Sequence, residues 1–110
     1  LGMVTLLAEA AACAQKSGVA PEAFVSVLAQ GGGGGIALER LKPFILAGDT
    51  GGLRFSIDNA AKDLGYYNAM AADADAQRAV AAAVLATLQG AQARVPPGTL
   101  LPEMAAILAR

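Results

Sequence analysis

An all-α fold, a single compact bundle of five or six helices, is what three observations predict. Hydrophobic residues are 55% of the 110 while aromatics are only 5%, so the apolar content is largely alanine, the strongest helix former. Apolar residues recur at helical spacing, and no stretch joins alternating polarity to β-branched enrichment as a strand would. Glycine and proline stand where helices stop and start, at Gly18, Pro21, Gly31 to Gly35, Gly48 and Pro96-Pro97-Gly98. At this length one domain with a modest core is expected over residues 1–110, with no room for a second nucleotide-binding unit.

The first helix is expected over residues 1–16, with Met3, Leu6, Leu7, Ala10, Ala11 and Ala14 at core spacing and Ser17-Gly18 as its stop. No cap precedes it, so the native helix is expected to continue upstream of Leu1 and the chain to be part of a longer protein. Glu9 is either a buried partner or the solvent edge, the second being favoured. Cys13, a small apolar side chain with no base to activate it, reads as core rather than nucleophile. Pro21 opens a second helix over residues 21–30, because its fixed φ suits the first turn, and Phe24, Val27 and Leu28 supply a core face.

Gly31 to Gly35 satisfies a phosphate-loop pattern trivially, but no strand precedes it. A flexible helix–helix connection is the simpler reading, and a backbone approached by ligand the functional alternative. A third helix follows over residues 36–47, with Leu38, Leu41, Ile45 and Leu46 inward and Pro43 expected to kink or restart it. After a turn at residues 48–52, a fourth helix is expected from about residue 56 to 74 and a fifth from about 76 to 93. On the fifth, Val80, Val84, Leu88, Ala91 and Val95 form one stripe, and Ala81, Ala82, Ala83 and Ala86 admit close approach by another helix. Gly98 or Thr99 is expected to cap a last helix over residues 100–109, with Met104, Ile107 and Leu108 inward.

Charge and composition exclude several functions. The formal charge is −1 and the eight cationic side chains are scattered, so no basic stripe exists for nucleic acid. Histidine is absent, which excludes a His-dependent triad or zinc site within the chain. The apolar runs fall short of the roughly 20 residues a membrane span needs. No basic leader precedes an apolar block, and the single cysteine fits a reducing compartment, so a cytoplasmic location is expected.

Chemistry concentrates between Phe55 and Tyr67. On a helix of about 3.6 residues per turn, Asp58, Asn59, Lys62 and Tyr66 share a polar face, while Ile57, Ala61, Leu64 and Ala71 form an apolar back. The plain reading is an exposed amphipathic helix with an Asp58–Lys62 pair at i, i+4.

The order of pieces carries a resemblance. Gln-Lys-Ser-Gly-Val-Ala-Pro-Glu-Ala-Phe, a glycine-rich turn, Leu-Lys-Pro-Phe-Ile-Leu-Ala-Gly-Asp and Phe-Ser-Ile-Asp-Asn-Ala-Ala-Lys-Asp-Leu together resemble the C-terminal domain of β-hydroxyacid dehydrogenases, the 3-hydroxyisobutyrate dehydrogenase family. The likeness runs from Leu1 to about Leu88 and is loose after Gly90. It implies a helical domain like the C-terminal domain of 6-phosphogluconate dehydrogenase, with an N-terminal Rossmann domain that this chain lacks. It also implies NAD or NADP as cofactor of the full-length enzyme, none being expected to bind this chain alone, and a small 3-hydroxy acid as substrate.

By that resemblance Lys62 matches the lysine of the Lys-Asp-Leu motif that reaches the cofactor, and Phe55 and Asp63 match residues of the same cleft wall. The family's catalytic lysine and its neighbouring asparagine would lie upstream of Leu1, so no catalytic residue is expected in this chain and the chain alone is expected to be inactive. The turn at Gly31 to Gly35 departs from the family by its extra glycines and missing serine. A homodimer is implied as well. The alternative is a stand-alone helical interaction or dimerisation module without catalysis.

Overall fold

The computed structural model describes residues 1–110 and is built of six α-helices without a strand. In chain order these are α1 (Gly2–Lys16), α2 (Pro21–Gln30), α3 (Ile36–Ala47), α4 (Ile57–Asp73), α5 (Ala79–Gln92) and the short α6 (Met104–Ile107). Single 3₁₀ turns at Thr50–Gly52 and Leu101–Glu103 precede α4 and α6. α4 packs along α5, while α1 lies against α3 and α6. No helix is long and apolar enough to cross a membrane.

Helix ends follow local chemistry. α1 stops at Gly18, whose φ of +78° lets its N–H reach Gln15 O and the Val19 N–H reach Ala14 O, so orphan carbonyls are satisfied by the left-handed turn. Gly48 ends α3 in the same way, at φ +69°. Asp75 ends α4 at φ +52°, with Asp75 N–H on Ala72 O and Ala76 N–H on Ala71 O. That turn consumes residues 76–78, and α5 therefore begins at Ala79 rather than near Ala76.

The core is thin and largely alanine. Ala8, Ala60 and Ala91 are fully buried with Leu41, Ile57, Leu88, Leu101, Met104 and Ile107. Small side chains let the helix axes approach, and the C-terminal Leu101, Met104 and Ile107 fill the space that remains. The α4–α5 contact includes Asn68, whose Nδ2 donates to Leu64 O at 3.2 Å and to Ala81 O across the interface at 3.4 Å.

Several expected orientations are corrected. On α1 the buried stripe is Thr5, Ala8, Ala11 and Ala12, while Met3 and Leu6 are each 66% exposed. Thr5 is accommodated because its hydroxyl donates to Leu1 O at 2.8 Å. Cys13 is exposed, not core, because it lies on the Met3–Leu6 side, roughly opposite Ala8 at about 100° per residue. Glu9 is at the solvent edge. On α2 Val25 is buried and Val27 is 70% exposed. On α5 Leu88 and Ala91 are buried but Val80 is 80% exposed, since the helix projects beyond the core at its N-terminal end. Ala82, Ala83 and Ala86 are exposed as well.

Pro43 lies inside α3 without restarting it, and Leu46 at its end is exposed. The Arg40 carbonyl and Pro43 ring sit so close under Gly52 that a Cβ there would collide with both. The final segment is a 3₁₀ turn followed by one α-turn, with Pro102 in the first turn, where a missing N–H costs no helical bond. Its cap is Glu103, whose carboxylate accepts from Leu100 N–H at 2.9 Å. Thr99 does not cap it; its hydroxyl donates back to Pro96 O at 2.7 Å.

Candidate functional site

Ser56 starts α4 as its N-cap, with Oγ accepting from Asn59 N–H at 3.0 Å. The cap fixes where the helical face begins. From there Ile57, Ala60, Ala61 and Ala71 turn inward and are buried, as the expected apolar back requires. Asn59, Lys62, Asp63, Tyr66 and Met70 face solvent. α4 is therefore a rod anchored along one side that presents a lysine on the other.

Phe55, just before the cap, is half-buried. Its carbonyl accepts from Leu101 N–H at 2.7 Å, and Ile57 N–H donates to Thr99 O at 2.9 Å. Ser56 and Leu100 thus form an isolated antiparallel bridge. The segment from Pro96 to Leu101 straps the entry to α4.

The expected Asp58–Lys62 pair does not form. Asp58 Oδ1 accepts from Gln92 Nε2 at 2.7 Å and Oδ2 from Gly98 N–H at 3.0 Å, and Lys62 Nζ instead donates to Asn59 Oδ1 at 3.4 Å. Two donors in fixed places outcompete a flexible surface ammonium, whose pairing in water is weak. The Gly98 N–H first and the Gln92 amide second hold the Asp58 carboxyl below its ordinary value of 3.8, against a smaller opposing effect of desolvation. Gln92 and Gly98 carry no local signal of this role, because they lie 34 and 40 residues from Asp58.

Asp63 is exposed one residue beyond Lys62, so Lys62 and Asp63 share the outer side of α4 while Phe55 stands at its entry. Gly31 to Gly35 makes the α2–α3 connection, with Gly33 folded so closely onto Leu28 that a Cβ would collide with its side chain. No group of three Cys, Asp or Glu side chains converges to hold a metal ion.

A family model described as NAD-binding of NADP-dependent 3-hydroxyisobutyrate dehydrogenase matches residues 2–105. The chain belongs to that family. The match runs through the segment after Gly90, where the sequence resemblance is loose, and so includes the strap together with Asp58 and its partners Gln92 and Gly98. No curated protein and no solved structure matches the chain. On α4, Lys62 presents an exposed ammonium whose one hydrogen bond, to Asn59 Oδ1, is long, a compact cation of the kind that phosphate and ribose oxygens accept.

Proposed function

We propose that this chain is the C-terminal helical domain of an NAD(P)-dependent dehydrogenase acting on a small 3-hydroxy acid. In this reading the outer side of α4 forms one wall of a cleft, and a nucleotide-binding domain elsewhere in the protein forms the other. The observation that carries it is Lys62. In a chain matched to the family over residues 2–105, the lysine of the Lys62-Asp63-Leu64 sequence stands exposed on a helix whose back is buried.

A bound dinucleotide supplies the hydride chemistry. Lys62 contributes a positive charge for its oxygens, Phe55 an aromatic edge at the helix entry, and Asp63 a carboxylate beside the lysine. The lysine that would transfer the proton, together with its neighbouring asparagine, is expected outside this chain, and the chain alone is expected to show no dehydrogenase activity.

Lys62→Ala in the protein that also carries the nucleotide-binding domain tests the assignment. Loss of a charged hydrogen bond of about 1.5–3 kcal/mol corresponds to a rise in the cofactor KM of roughly tenfold to a hundredfold. The thermal midpoint should barely move, because an exposed side chain is removed. Unchanged kinetics would remove Lys62 from the cleft wall, and loss of folding would show it to be structural.

A second reading, a helical module that pairs with another copy of itself, is favoured by one observation. Met3, Leu6 and Val80 stand exposed around a groove of ≈ 690 Å³ between α1 and α5.

A further inference from the structure

We infer that Asp58 is a positioning residue for the Lys62 wall, clasping the Pro96-to-Leu101 strap onto the first turn of α4 so that Phe55 and Lys62 hold their places. The inference rests on the reading of Lys62 as a cofactor contact, and it adds to that reading the group that fixes the contact in space.

Three features converge on it. First, the carboxylate is divided between two elements, with one oxygen on the last residue of α5, Gln92, and the other on the strap at Gly98. A single side chain in the first turn of α4 thereby ties the C-terminal end of α5 and the strap to the same point. Second, the strap is shaped for this bond. Pro96 and Pro97 restrict its backbone, and Gly98 takes a φ of +84°, a conformation that L side chains resist, to carry the N–H that Asp58 receives. Third, the strap's remaining bonds fall on the residues flanking the cap, Leu101 N–H on Phe55 O and Ile57 N–H on Thr99 O. Release of the clasp therefore frees the main chain that carries Phe55.

The clasp has a second effect on Lys62. A carboxylate four residues before a lysine on a helix is the ordinary partner for that ammonium. Here both Asp58 oxygens are engaged elsewhere, and Lys62 is left with the long bond to Asn59. Asp58 thus holds the wall in place while leaving the cation on it available.

The test uses amide hydrogen exchange on the chain and cofactor titration on the protein carrying the nucleotide-binding domain. In Asp58→Ala, exchange at Ile57, Gly98 and Leu101 should quicken at least tenfold, while the core amides of Leu41 and Leu88 keep their wild-type rates. The same substitution should weaken cofactor affinity severalfold with kcat at saturation little changed. Asp58→Asn, which keeps the shape and one acceptor, should fall between wild type and Asp58→Ala in both measurements, and it carries the test if Asp58→Ala does not fold. Wild-type exchange at all three amides, or equal acceleration throughout the core, would overturn the clasp. Local release with unchanged cofactor affinity would overturn the positioning role, and Lys62→Ala then reports separately whether Lys62 touches the cofactor at all.

Discussion

The Asp58 carboxylate receives Gly98 N–H and the Gln92 amide, and both donors favour its charged form, so its pKa in the folded chain lies below the ordinary 3.8. A group whose folded pKa is depressed contributes stability that is complete above its unfolded value and is lost as pH falls through the folded one. The thermal midpoints of wild type and Asp58→Asn should therefore differ most near neutrality and converge as the solution is acidified below the ordinary carboxylate value. A difference that stayed constant across that range would show that the carboxylate charge is not its source. At this scale the sequence was legible where a signal is local. The spacing of Ile57, Ala61 and Ala71 placed Lys62 outside, on a helix expected from about residue 56, where Ser56 proves to be the cap. The partners of Asp58 were illegible for the opposite reason, since an acid four residues from a lysine looks complete by itself, and nothing near Asp58 names an amide on another helix.

Among the elements, α5 separates what alanine-rich sequence conceals. Val80, Val84, Leu88 and Ala91 share a helical stripe, yet Val80 is 80% exposed and Leu88 is fully buried in the core cluster. Leu88→Ala should cost about 2–5 kcal/mol, transfer plus cavity, whereas Val80→Ala should stay within about 0.5 kcal/mol. Urea unfolding at unchanged slope measures both, and similar costs at the two positions would place Val80 in the core. Helix ends marked by glycine or proline, at Gly18, Pro21, Gly31 and Gly48, were legible because those residues have local mechanisms, whereas the start of α5 at Ala79 and the Glu103 cap of the last turn carried no such mark. Helix faces were less legible, above all on α1, where leucine, methionine and alanine occur all round. There the core took the small residues Ala8, Ala11 and Ala12, because α3 and α6 lie against them, and left Met3, Leu6 and Cys13 outside.

For the molecule as a whole, that inversion leaves large apolar side chains on an outer face, with Met3 and Leu6 on α1 beside Ala79, Val80 and Ala83 on α5. Large residues next to a row of small ones are self-complementary across a two-fold axis, since each copy offers both knob and hole. Glu9 is the one charged residue lining the groove, and its side chain is exposed. If a second copy covers this face, sedimentation equilibrium should show a mass that rises with concentration, and Leu6→Glu should return it to the monomer. The substitution puts two new carboxylates near one axis, where like charges cost several kcal/mol of association. In the monomer Leu6 is 66% exposed, so the same change should alter folding stability by no more than about 0.5 kcal/mol. Loss of association without loss of stability is what an interface residue gives. A chain monomeric at every concentration would leave this face uncovered by its own copies and remove the pairing module as a reading, while the cleft-wall role of Lys62, on the outer side of α4, would stand or fall on its own kinetics.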